Sequence, residues 1–272
     1  MVIFRKKKKQ VSLGIALGGG GARGVAHIAF LKVLDELGIR PGMITGTSIG
    51  ALIGALYASG MKAESIEERF RSIKFIDRIR LIDLYWGGKE GLIKGRRIHS
   101  LLDELTGGRT FGQLEIPLKV VATDFWNSSE VVIGEGPVSD AVRASISIAG
   151  VFEPFVIGRK VLIDGGSSNP LPYDILPHSC SIRAAIDVTG VKVPCDDGVE
   201  LPNIAECMIA SFQVLQTSLI ESKLRNSKPD LYIKPQLENI GTLDFSKADE
   251  ILSATEKHAE DFRSELLKHR FV

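Results

Sequence analysis

Short apolar segments of strand length alternate with longer amphipathic segments along most of this 272-residue chain. Helical patterns separate most of the strand-like segments, and this alternation is typical of helices packed on a mainly parallel sheet. The pattern therefore predicts a layered α/β fold. The strand-like segments lie at 12–17, 43–46, 118–123, 130–133, 155–163, 182–188 and 230–233.

Two early helices have recognisable ends. Residues 25–37 form a helical pattern that closes at Gly38, and the small, apolar residues 49–59 are typical of a buried helix that stops at Gly60. Each follows one of the first two predicted strands, so the chain here reads as strand, loop, helix twice over.

Two longer helices are predicted further along the sequence. Asn203 and Glu206 have the spacing of a capping box, and a last helix opens at Ser246. We expect both helices to cover the sheet or to form an interface. Their apolar positions at helical spacing are Ile204, Met208, Leu215 and Leu219 in the first and Ile251, Ala259, Phe262 and Leu266 in the second.

The composition is that of an ordinary globular protein. With 44% hydrophobic and 25% charged residues, we expect residues 11–272 to form one domain after a basic tail at 1–10. The net charge of +1 argues against nucleic acid as the main partner. Three cysteines without framework spacing predict a reduced, cytoplasmic setting, and no apolar run reaches the roughly 18 residues of a membrane span.

The tail carries five consecutive cations, Arg5, Lys6, Lys7, Lys8 and Lys9, after an apolar tip. The apolar run at 11–17 that follows is short, contains a glycine and is needed as a strand, so we do not interpret the start as a signal peptide. Two interpretations of the tail remain: a solvated basic segment, or a peripheral contact with an anionic inner membrane surface.

Residues 64–95 are more apolar and aromatic than a solvent-facing connection requires, and they contain interleaved arginines and a lysine. One interpretation is a helical pair packed on the core. The other is a lid or membrane-facing groove that admits an acyl chain.

Two glycine-rich motifs carry the candidate chemistry. Gly18 to Gly24 follows the first strand and offers bare backbone N–H groups to an anion, with Arg23 as a nearby charge or a structural pin. After the second strand, Gly46 to Gly50 has the G-x-S-x-G form of a nucleophile elbow with Ser48 at its centre. An oxyanion site next to a serine nucleophile indicates acyl transfer.

The glycine run also fits a dinucleotide-binding fingerprint, which requires an acidic residue at the end of the second strand. That strand instead runs into Thr45–Ser48, while Asp35 and Glu36 lie in the helix. A phosphate-binding P-loop motif does not occur in the sequence. These observations favour an oxyanion loop over a nucleotide site.

A nucleophilic serine needs a base. Of the five histidines only His178 follows the Ser…Asp…His chain order, and it sits in a segment typical of a surface turn. Asp164 is the stronger candidate because an apolar strand delivers it to a Gly165-Gly166 turn. The cysteines and histidines are too scattered for a zinc site, so we expect neither metal nor cofactor.

Together, the glycine run with Arg23, the Ser48 elbow and Asp164-Gly165-Gly166 resemble the three motifs of the patatin-like phospholipases, bacterial members in particular. The resemblance covers roughly residues 12–190, and further similar segments lie at 91–105, 116–124 and 143–154. It implies a three-layer, mainly parallel fold of modified α/β-hydrolase type. It also implies a Ser48/Asp164 dyad without histidine, and an oxyanion hole formed by the N–H groups of Gly19, Gly20 and Gly21.

The expected activity is hydrolysis of lipid acyl esters through an acyl-Ser48 intermediate, with a phospholipase or lysophospholipase substrate. Two alternatives remain open: a small-ester or acyl-thioester hydrolase, and a silent nucleotide-binding or regulatory protein. The sequence predicts no oligomeric state.

Overall fold

The computed structural model describes residues 12–72, 96–191, 201–242 and 244–269. Its strands are β1 (Leu13–Leu17), β2 (Met43–Thr47), β3 (Leu118–Asp124), β4 (Ser129–Ile133), β5 (Phe155–Ile157), β6 (Lys160–Asp164), β7 (Ile182–Ile186) and β8 (Leu231–Ile233). Its helices are α1 (Ala26–Leu37), α2 (Ile49–Ala58), α3 (Ala63–Arg71), α4 (Arg96–Thr106), α5 (Val138–Ser145), α6 (Ile204–Asn226) and α7 (Ala248–Lys268).

The described strands form one eight-stranded sheet in the order β5-β6-β3-β2-β1-β7-β8, with β4 paired to β3. The pairs from β3 through β2, β1 and β7 to β8 are parallel, whereas β4, β5 and β6 pair antiparallel. All five residues of β1 are buried, as expected for a central strand covered on both faces. The predicted mainly parallel α/β sheet is therefore confirmed.

Alternate residues of β1 belong to different packed layers, because successive side chains of a strand point to opposite faces. Leu13, Ile15 and Leu17 pack in the large core that also contains apolar residues of α1, α2, α3 and α7. Ala16 packs on the other face, together with Ile220 of α6. The sheet thus lies between two layers, which gives the three-layer architecture.

The predicted ends of α1 and α2 agree with the structure to within one residue. Gly60, where α2 was expected to stop, has a positive φ of 90° and lies two residues after the last residue of the helix. Gly38 closes α1 in the left-handed conformation, with φ of 64°. The capping box at α6 is confirmed by reciprocal hydrogen bonds between Asn203 and Glu206 at 2.9 and 3.0 Å. The last helix begins at Ala248, after a short 3₁₀ turn, and its predicted apolar face is buried.

One expectation is wrong, and a second loses one of its two alternatives. The segment 155–163 is a hairpin of β5 and β6, because Gly158 takes a positive φ of 61° and reverses the chain. The predicted apolar face of α6 does not cover the sheet, because Ile204 and Leu215 are mostly exposed and the helix packs through Gln216 and Ile220. The other expected role of this face, an interface, stays open.

The interpretations of residues 64–95 and of the basic tail fall largely outside the described residues. Within the first of these segments the structure describes 64–72, where α3 buries Ile66 and Phe70. Within the described residues, no helix has the length and apolar character needed to span a membrane.

Candidate active site

Ser48 lies at the turn between β2 and α2 in an unusual backbone conformation, with φ of 54° and ψ of −123°. Positive φ is uncommon for residues other than glycine, and such positions hold strain of about 1–3 kcal/mol. The turn raises Ser48 to the N-terminus of α2, where unpaired N–H groups and the helix dipole favour negative charge. Ser48 is therefore held as a nucleophile elbow holds its serine.

The glycines on either side of Ser48 allow this turn because neighbouring backbone leaves no room for side chains. A Cβ on Gly50 would overlap the carbonyl oxygen of Leu17, and one on Gly46 would lie 2.7 Å from the Ala51 nitrogen. The two glycines of the motif thus permit the close passage of α2 over the ends of β1 and β2.

Asp164 reaches Ser48 through the register of β3. β2 and β4 both pair with Val121, so they lie on opposite edges of β3. β4 and β6 both pair with Ala122, so β6 lies on the edge opposite β4, which is the edge that β2 occupies. On that shared edge Thr47 of β2 pairs with Val121, and Asp164 pairs with the next residue, Ala122. The end of β6 therefore lies where β2 turns away into the elbow.

The Ser48 hydroxyl donates to Asp164 Oδ2 at 2.7 Å, and the backbone N–H of Gly166 donates to Oδ1 at 2.7 Å. Burial raises the pKa of Asp164 from 3.8 to about 6, although both hydrogen bonds act in the opposite direction. A carboxylate with this pKa is a stronger base than an ordinary aspartate, yet it remains ionised at neutral pH. The pair has the geometry required for proton transfer during attack by Ser48.

Two serines of the 145–147 segment support this dyad, and sequence reasoning assigned no role to either of them. Ser145 Oγ accepts the N–H of Ser48 at 2.8 Å and donates to the Val121 carbonyl at 2.5 Å. The carbonyl of Ser147 accepts the N–H of Asp164 at 2.9 Å. These residues lie about 100 positions from the elbow in sequence. The one sequence signal that could have pointed to them is that they lie in the segment 143–154, which resembles the family.

The glycine loop brings Gly20 and Gly21 into the wall of the same cavity as Ser48 and Asp164. A side chain is excluded at both positions, since a Cβ on Gly20 would lie 2.6 Å from the Val188 carbonyl oxygen and one on Gly21 would overlap that of Thr242. Gly21 also has a positive φ of 60°. The loop therefore lines the cavity with bare backbone at these two positions.

Gly19 requires a correction. Its position is beside Ser48, where a Cβ would be 3.5 Å from the Ser48 Cβ, but its N–H donates to the carbonyl of Pro170 at 2.9 Å. A donor committed to the backbone is not free for an oxyanion. Of the three expected donors, Gly19 is therefore removed, and the expectation now concerns Gly20 and Gly21.

Arg23 is buried and contacts its own loop. Its Nε–H donates to the Gly20 carbonyl at 3.2 Å and its Nη2 donates to Thr242 Oγ1 at 3.4 Å. Because C=O and N–H of a trans peptide point in opposite directions, fixing the Gly20 carbonyl also fixes the direction of the Gly21 N–H. These contacts favour the second role expected for Arg23, that of a pin that orients the loop.

The structure places His178 away from the dyad. It is exposed, next to Ser179, whose carbonyl accepts the hydroxyl of Ser12 at 3.2 Å. Ser12 precedes β1, so His178 lies at the opposite end of β1 from the glycine loop. His27 is fully buried in α1, where burial lowers its pKa to about 4 and its Nε2 bonds the Gly18 carbonyl at 2.8 Å. Neither histidine is placed to act as the base.

The cavity that contains the dyad has a volume of about 160 Å³. The loop after α5 and the first half of α6 supply most of its apolar wall. Polar side chains from α6 and Thr242 complete it. The lining residues besides the dyad and the glycine loop are Ile148, Ala149, Val151, Met208, Ile209, Phe212, Gln213, Gln216 and Thr242.

The model of the family described as patatin-like phospholipase matches residues 15–177, which include the glycine loop, the elbow and Asp164. The chain belongs to the patatin-like phospholipase family. Family membership agrees with the resemblance drawn from the three motifs and with the three-layer fold.

Curated relatives include members of the NTE family. The chain is 30% identical to the lysophospholipase NTE1 of Kluyveromyces lactis over 94% of its own length but only 19% of that protein. It is 35% identical to an uncharacterized NTE family protein of Mycobacterium bovis over 65% of its length and 49% of that protein. This patatin-family chain thus spans at most about half the length of these relatives.

Among solved structures, VipD from Legionella pneumophila superposes with a TM-score of 0.55 at 13% identity. The alignment covers 95% of this chain and 67% of VipD. At this identity the likeness shows the fold alone, and it agrees with the family assignment.

Proposed function

We propose that this patatin-family chain is a serine acyl hydrolase that cleaves acyl esters of lipids, of phospholipase or lysophospholipase type. One observation carries the proposal: the Ser48 hydroxyl donates to Asp164 at 2.7 Å, at a strained elbow inside a cavity. An inert serine in a tight turn needs neither a buried carboxylate partner nor a glycine loop that lines the same cavity.

In the proposed acylation step, Ser48 Oγ attacks the ester carbonyl carbon while its proton passes to Asp164. The negative charge that develops on the carbonyl oxygen is stabilised by the N–H groups of Gly20 and Gly21. One such donor is typically worth about 3–4 kcal/mol of barrier. Asp164 then protonates the departing alcohol oxygen as the carbon–oxygen bond breaks, which leaves an acyl ester on Ser48.

In the proposed deacylation step, Asp164 accepts a proton from water as the water oxygen attacks the acyl carbon. The same two N–H groups hold the second oxyanion. Collapse returns the proton to Ser48 and releases a fatty acid. The raised pKa of Asp164 suits both halves of the cycle, because the carboxyl group must accept a proton and then give it up.

A lipid substrate is supported by the cavity wall and by the relatives. Ile148, Val151, Met208 and Phe212 line the space beside Ser48 with apolar surface, which suits an acyl chain. The NTE1 protein of Kluyveromyces lactis, with 30% identity, is named a lysophospholipase. The family description also names phospholipases.

The test is hydrolysis of a substrate panel by the purified chain: short p-nitrophenyl esters, acyl-thioesters, lysophospholipids and diacyl phospholipids. The expected result is turnover of lysophospholipid or phospholipid well above that of short esters and thioesters, lost in Ser48→Ala. A preference for short esters or thioesters would replace the lipid assignment with one of the alternatives. An absence of any turnover would favour a silent regulatory protein.

We also propose that residues 11–272 act as one cytoplasmic domain and that Arg5–Lys9 contact an anionic membrane surface. The five cations support this, since each one near an anionic surface contributes about 1 kcal/mol. Cosedimentation with anionic liposomes at low and high salt, with and without residues 1–10, tests it. Equal binding by the shortened chain would remove the tail from this role.

A further inference from the structure

The outer face of α6 is apolar but exposed. Ile204 is 83% exposed, Met208 62% and Leu215 63%. Leu219 continues the same face, which runs for about 22 Å at 1.5 Å per residue. Between these positions the face carries Ser211 and Ser218 and no charged residue, although charged residues occur elsewhere around the helix. We call these four apolar residues the α6 stripe.

The α6 stripe is continuous with the cavity that contains Ser48. Met208 and Phe212 line that cavity and also border a second, open groove on the outside of α6, together with Ile204 and Leu215. The deeper side of the helix reaches the catalytic groups, since Gln216 lies against Gly166, whose N–H holds Asp164. One helix therefore connects an exposed apolar surface to the catalytic cavity.

A second exposed apolar feature lies at the same edge of the sheet. The turn between β3 and β4 presents Phe125 and Trp126. Their rings pack edge to face with centroids 4.9 Å apart, and Trp126 is 75% exposed. This turn follows the carboxyl end of β3, and Ser48 follows the carboxyl end of β2, its parallel neighbour. Exposed tryptophan is the side chain most typical of a membrane–water interface.

β4 and α6 are joined by a short series of polar contacts. Glu130, early in β4, accepts from the Asn169 amide at 2.5 Å, and Lys223 of α6 donates to Asn169 Oδ1 at 2.5 Å. Lys223 also pairs with Asp174 at 2.5 Å. These contacts place the C-terminal part of α6 beside the β3–β4 hairpin that carries the aromatic turn.

We propose that the α6 stripe, with Trp126 as a second anchor, is the surface by which this chain seats on a lipid–water interface. The occupant is the apolar zone of a phospholipid surface, because the stripe is uncharged and opens into the cavity where an acyl chain would react. A second copy of the chain seated there would cover Met208 at the mouth of the cavity. The inference rests on the proposed lipid substrate but uses residues distinct from the dyad and the basic tail.

The test is partitioning of the full chain, at high salt, onto vesicles of ether-linked phosphatidylcholine, which has no net charge and no acyl ester to cleave. Ile204→Glu with Leu215→Glu places two carboxylates on the stripe. Leu267→Glu is the matched control, since Leu267 is 57% exposed on α7 and lies outside the stripe. A milder pair, Ile204→Ser with Leu215→Ser, and Trp126→Ala complete the set. Turnover of a short soluble ester reports an intact site in every variant.

We expect the glutamate pair to lower the vesicle partition coefficient at least tenfold, and the serine pair and Trp126→Ala to lower it by less. Leu267→Glu should bind as the wild type does, and all variants should keep soluble-ester turnover. Wild-type binding by the glutamate pair would overturn the proposal. So would a change from dimer to monomer in light scattering with vesicle binding unchanged, since the stripe would then be an interface between copies.

The readouts also separate this inference from the proposed function. Binding to ether lipid requires no catalysis, so a chain that seats on vesicles through the stripe but hydrolyses no lipid would refute the lipid hydrolase assignment alone. Conversely, lipid hydrolysis that is unaffected by the glutamate pair would refute the docking surface alone.

Discussion

Ser48 and Asp164 are 116 residues apart in sequence but share a 2.7 Å hydrogen bond, because β2 and β6 occupy consecutive positions along one edge of β3. The dyad is therefore a consequence of sheet register. A slip of one residue in β6 would turn the Asp164 side chain to the opposite face of the sheet.

The pKa of Asp164 predicts the pH dependence of activity. Because Asp164 must be ionised to accept the Ser48 proton, kcat/KM for a soluble ester should rise with pH, reach half its maximum near pH 6 and then level off. Initial rates between pH 4.5 and 8.5 measure this. A midpoint near pH 4 would mean that burial does not perturb the base.

The same pKa makes a stability prediction of definite sign. The folded-state pKa is above the unfolded one, so protonated Asp164 favours folding below pH 4 and this contribution is lost as pH rises through 6. A rise from 3.8 to about 6 corresponds to about 3 kcal/mol. Relative to Asp164→Asn, which does not titrate, the wild type should lose about this much unfolding free energy between pH 3 and pH 7. Urea denaturation at several pH values checks it, and parallel pH curves for the two proteins would contradict it.

Backbone strain at Ser48 separates two inactive variants. Ser48→Ala and Ser48→Gly both remove the hydroxyl and should both abolish hydrolysis. Since φ is 54° at this position, glycine should be more stable than alanine here by about 1 kcal/mol. Thermal or urea unfolding of the two variants measures the difference. An alanine variant more stable than the glycine variant would show that the elbow is not strained.

Gly50 is expected to tolerate no side chain. A Cβ would overlap the backbone oxygen of Leu17, so Gly50→Ala should cost about 3 kcal/mol or more and displace Ser48. Gly112→Ala is the matched control, because that position has open space and no positive φ. Unfolding measurements and soluble-ester turnover should show a small effect at Gly112. Comparable losses of stability and turnover in both variants would contradict the claim that close packing at Gly50 excludes a side chain.

Arg23 is expected to act through the loop that it holds. Arg23→Met should lower kcat by more than tenfold, while KM for a soluble ester changes little. The reason is that a displaced loop would weaken hydrogen bonds to the oxyanion, which form in the transition state and not in the bound substrate. Steady-state kinetics separate the two parameters. A rise in KM with unchanged kcat would instead assign Arg23 to substrate binding.

His178→Ala should change turnover by less than about tenfold, well below the loss caused by removing a general base. The side chain is exposed, at the opposite end of β1 from the glycine loop. Activity assays of His178→Ala beside Asp164→Asn decide the point. Equal losses would restore a conventional triad.

The sequence predicted those parts of the fold that are set by local pattern. Gly38, Gly60 and the apolar periods define α1 and α2, and the Asn203 capping box defines the start of α6. It left open what long-range packing decides. The stripe on α6 has the period of a buried face, yet the helix is held by Gln216 and Ile220 on its other side.

The same limit applies to the site. The motifs identified Ser48, Asp164 and the glycine loop because each requires a particular residue at a sharp turn. They did not show that Pro170 takes the Gly19 N–H, or that Ser145 holds the N–H of Ser48. Both facts depend on segments that only the folded sheet brings together.

The central claim is that Ser48 is a nucleophile activated by Asp164, and the rate and site of labelling by a fluorophosphonate test it most directly. We expect one adduct per chain, on the peptide that contains Ser48, with a labelling rate that rises through pH 6. It also predicts a rate at least a hundredfold lower in Asp164→Asn. Labelling at another residue, or an equal rate in Asp164→Asn, would contradict the dyad.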